Sequence, residues 1–417
     1  MKKDRLDKKF MYLCPNFYEM KTNVFRLTFI DVIRAFAICM MLQGHFIDGL
    51  LGNEYRDTSN IFFSVWLYFR GITAPVFFTV SGFIFMYLLA KERDPYKTGW
   101  GHVRVRKGIK RGITLIIVAY LLRTNLNNLL FSDYIDMNVR MVDVLHCIGF
   151  SLLFLITIYL FSYQKKKWLM PTILLATTLI LFIFAPVYNE LNYSYLPIFL
   201  ANYFTQANGS VFTIFPWFGY ASFGAFVGVL FNLFKDKKHI YTYSVGILVV
   251  LGGLLIYGTS PLFATIYQNT ELQLAKLLSA ENYLFQRLGN VLWVFTFFIL
   301  LRNVITSKRI QTIGQNTLSI YIIHYIILYG SFTGIGLYRF FNHQLTPIEA
   351  IIGALIFVIT TLVLSFLYNK KKPFIDEVLD IIQTKAKILF IEIYHIFGLI
   401  VHKVRNFISI LFNKVNN

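Results

Sequence analysis

Phe29 to Leu51 reads FIDVIRAFAICMMLQGHFIDGLL. Such a run is long enough to cross the roughly 30 Å hydrocarbon layer of a bilayer as a helix. It nevertheless carries Asp31, Arg34, His45 and Asp48. An ionised group at membrane depth costs several kcal/mol unless it faces a bundle interior or a wet cavity, so these four residues are functional candidates by default. Arg34 and His45 are separated by about 16 Å of helical rise. Asp31 and Arg34 share one helix face, as do His45 and Asp48, because each pair is three residues apart. The segment therefore offers a polar group in its inner half and another near its outer end, about 27 Å above residue 27.

The rest of the chain continues this pattern. Of 417 residues, 56% are hydrophobic and only 15% charged, against about 25% charged in soluble domains; mean hydropathy is +0.58. These values predict an all-α, polytopic integral membrane protein. Apolar runs of spanning length fall near 27–50, 61–90, 112–131, 142–163, 169–188, 210–234, 240–258, 286–303, 314–332 and 347–369. The second is long enough for its first turns to lie along the surface, or for a break around Gly71 and Pro75. Basic clusters occupy every even-numbered connection, as in Arg104 to Arg111, Lys165 to Lys167 and Lys370 to Lys372, while the opposing loops hold only Arg56, Arg140, Lys276 and Arg339. The positive-inside rule then predicts ten spans with both termini cytoplasmic.

Three regions follow: a cytoplasmic N-terminal segment (1–26), a ten-helix domain (27–369) and a basic tail (370–417). In the tail, ILFIEIYHIFGLIV (388–401) is short for a span and reads as an amphipathic helix on the inner surface. The formal charge of +19 is thereby explained by topology and attraction to anionic lipid, without nucleic acid. Residues 1–21 lack an apolar core with a small-residue cleavage site, so no cleaved signal peptide is expected. Cys14, Cys39 and Cys147 sit at no metal-binding spacing, and no paired-Cys or His-Glu-x-x-His pattern occurs, so no metal site is expected.

Several residues are candidates for chemistry. His45 near the outer mouth is a general base or acyl carrier, with Asp48 one turn on to hold its tautomer; the alternative is a neutral imidazole bonded to a neighbouring helix. Asp31 and Arg34 are either a mutually neutralising packing pair or part of a site. Arg70 and Arg123 lie in apolar runs and could pair with Asp31, Asp48 or Asp143, or line a cavity. The loop GHVRVRKGIKRG (101–112), with Arg104, Arg106 and Arg111, is either a solvated cytoplasmic loop or a phosphate platform. Asp143 and His146 in DVLHCIG lie one turn apart near the height of His45. His324 in the ninth run reads as a satisfied core histidine. Gly82, Gly224 and Gly228 read as close helix contacts.

The ordered set Arg34-x10-His45, PVFFTVSGF (75–83), the Arg-rich loop and NTLSIYIIH (316–324) resembles the membrane-bound acyltransferase family 3. FIDVIRAFAICMMLQGH, DVLHCIGFSLL and FPWFGYASFGAFVG resemble equally the bacterial relatives of heparan-alpha-glucosaminide N-acetyltransferase. The likeness covers roughly residues 26–369. It implies ten core helices and transfer of an acyl group, often acetyl, from cytosolic acyl-CoA. The acceptor it implies is a hydroxyl or amine of a sugar, glycan or glycolipid on the far side. It carries the catalytic histidine to His45 and the partner arginine to Arg34, with the acyl-CoA phosphates against Arg104, Arg106 and Arg111. In the heparan branch the histidine does not occupy the place of His45, which makes His146 the rival. A bacterial inner membrane is the expected location, and a homo-oligomer is compatible with the sequence. A proton-coupled transporter would also place Asp, Arg and His inside helices, but no pairing of broken helices in matching halves is evident.

Overall fold

The computed structural model describes residues 27–91, 98–126 and 137–374. The segment 1–26, Cys14, the end of the third expected span (127–131) and the tail from 375 onward, with its expected surface helix, lie outside the described residues. Two compact units divide the chain, Met1–Ile359 and Thr360–Asn417; the site lies in the first. In the second, the described residues are helical.

Among the described residues there are helices and two isolated bridges but no strand. The principal helices are α1 (Thr28–Leu50), α2 (Ile61–Lys91), α3 (Val103–Arg123), α4 (Val144–Ser162) and α5 (Leu169–Ile183). They continue with α6 (Ile214–Phe234), α7 (Ile240–Thr270), α8 (Tyr283–Leu300), α9 (Thr317–Tyr329) and α10 (Pro347–Phe374). Each of the ten expected segments overlaps one of them. Seven, namely α1, α2, α4, α6, α7, α8 and α10, are long and apolar enough to cross a membrane, and α5 and α9 are shorter apolar helices. The protein is thus an all-α, polytopic integral membrane protein. Its outward faces fit that medium: Ile247, Val250, Leu254, Ile351 and Leu355 are all more than half exposed, a surface that water would not tolerate.

Three expectations are corrected. The second run does not break at Gly71 and Pro75; α2 is one 31-residue helix with Pro75 inside it. A membrane bundle tolerates an interior proline, since neighbouring groups can satisfy the one carbonyl it frees, here that of Gly71. The Arg-rich segment is not a loop: α3 begins at Val103, nine residues before the expected 112, so Arg104, Arg106 and Arg111 stand on helical turns. His102 caps it, its Nδ1 accepting from the Arg104 N–H at 3.1 Å. The seventh run does not stop at 258. A π turn over Leu254–Gly258 carries it into Thr259–Thr270, which contains Pro261.

The core is built on a close contact between α2 and α6. A Cβ on Gly228 would stand 2.5 Å from the Phe83 carbonyl oxygen, and Cβ atoms on Gly82 and Gly224 would meet the carbonyls of Ala221 and Thr79 closer still. Only hydrogen in place of a side chain allows these backbones to touch, as the sequence reading of these glycines requires.

Candidate functional site

The end of α1 meets the end of α9 and the beginnings of α2, α4 and α6. Helices α1 and α9 therefore run toward this end, and α2, α4 and α6 away from it. The first link is histidine to histidine. The rings of His45 on α1 and His324 on α9 stack with centroids 5.5 Å apart and planes inclined by 26°. Tyr329, at the end of α9, places its hydroxyl 3.3 Å from His45 Nδ1.

Asp48 does not take the expected part. Its carboxylate is ion-paired with Arg70 of α2, and Arg56 holds its backbone carbonyl. A guanidinium outcompetes an imidazole for a carboxylate because it is always charged and offers several donors in a fixed fork. The group beside Nδ1 is instead the Tyr329 hydroxyl. For His324 the sequence reading was a satisfied core residue. It is fully buried, yet its ring is packed on His45 and near Tyr321 (4.8 Å between centroids) rather than bonded to a side chain.

Asp143 and His146 form the expected second cluster. Asp143 caps α4, its Oδ1 accepting from Leu145 N–H at 3.0 Å, and its Oδ2 accepts from Arg123 Nε at 3.1 Å. His146 completes a capping box, with Nδ1 3.2 Å from the Asp143 N–H. Its ring lies edge-on to Tyr120 at 4.3 Å, and Tyr120 in turn shares a 2.6 Å hydrogen bond with Tyr203. His146 thus holds the start of α4 through Nδ1, while its Nε2 is buried without a hydrogen-bond partner. Arg70 and Arg123, for which several partners were open, pair with Asp48 and Asp143 respectively.

Two cavities flank His45. One of about 500 Å³ is lined by His45, Arg123, Asp143, Tyr321, Tyr325, Tyr329 and Ser331 among others. The second, about 250 Å³, lies between His45, Asp48, Arg70, Thr73, Phe77 and Trp217. Both also include Val144, Val211 and Phe212, so His45 stands in a shared wall. The larger cavity is roofed by the turn after α9, where Phe332 adopts a left-handed backbone (φ 66°). That conformation is uncommon for a bulky residue. It is held by two backbone bonds, Phe332 N–H to Thr124 O at 3.0 Å and Leu126 N–H to Phe332 O at 2.9 Å.

At the opposite end of α1, Arg34 lies 3.8 Å from Asp31 and donates to Thr317 Oγ1, at the first residue of α9, at 2.8 Å. Asp31 is buried, and Gly314 packs against its carbonyl. Farther along this face a third cavity, also about 500 Å³, is lined by His102, Tyr159, Ser162, Tyr163, Lys165, Lys166, Lys167 and Asn232 among others. Arg104, Arg106 and Arg111 do not line it, and Arg106 and Arg111 are exposed on α3. Among the described residues no group of three His, Cys, Asp or Glu side chains is placed to hold a metal ion.

The tyrosines of α9 were not among the sequence candidates. Their signal was present: YIIHYIILY places Tyr321, Tyr325 and Tyr329 at successive spacings of four, which is one helix face. Lys165 to Lys167 carried only a topological meaning in the sequence and here form a cavity rim.

Residues 26–262 match the family model described as heparan-alpha-glucosaminide N-acetyltransferase, catalytic. Comparison with curated proteins gives no match. The matched residues contain α1 to α6 and most of α7, hence His45, Asp48, Arg70, Arg123, Asp143 and His146, while His324 and Tyr329 lie beyond them. With its helical membrane architecture and more than half of its length covered by that model, the chain belongs to the heparan-alpha-glucosaminide N-acetyltransferase catalytic family, a family of membrane acetyltransferases.

Proposed function

We propose that the protein transfers an acetyl group from cytosolic acetyl-CoA to a hydroxyl or amine of a sugar, glycan or glycolipid on the far side of the membrane, with His45 as the base. The observation that carries this reading is the position of His45 in the wall between two cavities, with a hydroxyl beside Nδ1. If Nδ1–H donates to the Tyr329 oxygen, the Nε2 lone pair is left for the reaction. The acceptor O–H or N–H then gives its proton to Nε2, and the acceptor atom forms a bond to the thioester carbonyl carbon. The C–S bond breaks and the leaving thiolate takes up the proton. In an acetyl-histidine relay, Nε2 itself attacks first and the acceptor displaces it.

The larger cavity suits the acceptor. Tyr321, Tyr325 and Tyr329 present both ring faces and hydroxyls, and Ser331 adds a buried hydroxyl, a combination that suits an uncharged polyol. Arg34 is assigned a positioning role, since its bond to Thr317 sets the register between the helices carrying the two histidines.

Purified protein in detergent is expected to release free thiol from acetyl-CoA in the presence of an amino-sugar acceptor. His45→Ala should lower that rate by about 10²–10⁴-fold, the usual contribution of a general base, without loss of folded protein. Unchanged release in the variant would remove His45 from the mechanism. Solute uptake into proteoliposomes with no thiol release at all would replace the enzyme with a proton-coupled transporter. Radiolabelled acetyl-CoA without acceptor separates the two routes, because only the relay leaves label on His45.

A further inference from the structure

A fourth cavity, of about 490 Å³, lies away from both histidines, between α5, α6, α7 and α8. It arises from how α7 is held. A turn of five residues (235–239) joins α6 to α7, yet α7 packs chiefly on α8 instead of returning along α6. A Cβ on Gly289 would stand 2.6 Å from the Gly252 carbonyl oxygen, so the backbones of α7 and α8 touch there. The gap left beside α6 is lined by Phe226, Leu230 and Phe234 on one side and by Ser244, Leu248 and Leu251 of α7 on the other. It reaches inward to Phe29 and Phe83, both buried, so the space enters the bundle and is not a groove on its outer surface. Among the described lining residues only Thr178 and Ser244 bring hydroxyls to the wall. Thr178 is already engaged to the carbonyls of Leu174 and Gly219, each at 3.1 Å. Water needs two to four polar partners and does not find them here, while apolar walls with nothing opposite them forfeit dispersion contacts. The occupant that fits is hydrocarbon.

Length and mouth decide which hydrocarbon. From Phe285 to Ile299 along α8 the wall runs about 21 Å, longer than the roughly 15 Å that one leaflet contributes to the hydrocarbon layer. A single extended chain fills such a slot lengthwise. Where α6 stops and α7 starts, the chain carries Lys235, Lys237 and Lys238, with Asp236 among them; Lys237 and Lys238 are exposed. Arg302, just beyond α8, reaches across to the start of α7. Its guanidinium lies over the Tyr241 ring at 4.5 Å, and its Nη1 donates to the carbonyl of Ile299, a lining residue, at 2.8 Å. Among the described residues no ion pair joins any of these four cations to a carboxylate. We infer that this cavity holds one acyl chain of an anionic phospholipid from the leaflet at this end, its phosphate held by Arg302 and the lysines of the turn. Arginine forks onto phosphate oxygens and lysine meets them as a point charge, and basic residues at a membrane surface draw anionic lipid. The bound chain supplies the packing that α7 does not make with α6. This site is independent of the transfer chemistry around His45.

The test uses the full chain in mild detergent, with dioleoyl-phosphatidylglycerol and dioleoyl-phosphatidylcholine as probes and native mass spectrometry as the readout. The parent should retain one phosphatidylglycerol, with at least about tenfold preference over the zwitterionic lipid. Ser244→Trp, which fills the slot from α7, should abolish retention of both lipids, whereas Ser244→Ala should retain them as the parent does. Combined Lys237→Gln, Lys238→Gln and Arg302→Gln should lose the preference while keeping weak binding of the chain. Dihexanoyl-phosphatidylglycerol has the same headgroup and chains too short for the slot, and should bind the parent at least about tenfold more weakly. That arm needs no variant, so it decides the matter even where Ser244→Trp does not fold. Parent-like retention by Ser244→Trp would overturn the site, as would equal binding of short-chain and long-chain lipid or a parent that retains no lipid. A parent that retains phosphatidylcholine as readily would overturn the anionic headgroup.

Discussion

Two cavities of about 500 Å³ lie at opposite ends of α4, and they treat charge in opposite ways. At the His45 end the two arginines that line the cavities have carboxylate partners: Arg123 is bonded to Asp143, and Arg70 to Asp48. At the other end Lys165, Lys166 and Lys167 stand on the rim with no carboxylate among the described lining residues. A buried charge must be paired or it is prohibitively costly, whereas an exposed lysine loses little by waiting for a ligand. The first arrangement leaves a neutral, hydroxyl-rich space. The second attracts anions. One molecule thus pairs its arginines with carboxylates at one cavity and leaves lysines exposed on the rim of another.

The contrast can be broken most directly at its charged pairs. Asp143→Ala should strand the Arg123 guanidinium and remove the cap of α4, destabilising the protein by about 3–5 kcal/mol. Thermal unfolding in detergent would detect this as a large downward shift. Arg123→Met added to Asp143→Ala should restore part of that loss, and no restoration would mean that the cap, not the ion pair, dominates. Lys166→Ala should change stability by less than about 0.5 kcal/mol, and a loss comparable to that of Asp143→Ala would dissolve the distinction between the two ends.

A second comparison lies within the His45 wall. Tyr329→Phe removes the group beside Nδ1 and should lower kcat about tenfold, the effect of one neutral hydrogen bond of about 1.4 kcal/mol, with KM for acetyl-CoA little altered. Asp48→Asn, which weakens only the link to Arg70, should lower kcat less than Tyr329→Phe does. The reverse order would return the orienting role to Asp48. The smallest effect concerns screening. Raising salt from low to near-physiological strength shortens the Debye length to about 8 Å, and should raise KM for acetyl-CoA a few-fold while leaving that for an uncharged acceptor unchanged.

The sequence was most informative where the physics is local. Hydropathy located the helices because the lipid constraint acts on each segment separately, and the spacing of Gly224 and Gly228 announced a close contact because it repeats along a single face. Arg34 and His45 stood out because charge is rare inside a membrane. Partner choice was not legible. That Asp48 meets Arg70 rather than His45 depends on how α2 turns against α1, and nothing within either helix specifies it. The early start of α3 was hidden by its own arginines, which look like loop composition yet are good helix formers. The ring that His324 meets on another helix was illegible for the same reason as the partner of Asp48.

The contact between α1 and α9 has a mechanical meaning. The two helices run parallel and are pinned twice, by Arg34 to Thr317 near their starts and by His45 to Tyr329 near their ends. One pin would permit rolling about it; two forbid both rolling and sliding. Loss of the lower contact would leave the two helices held at a single point, about which the imidazole pair could turn.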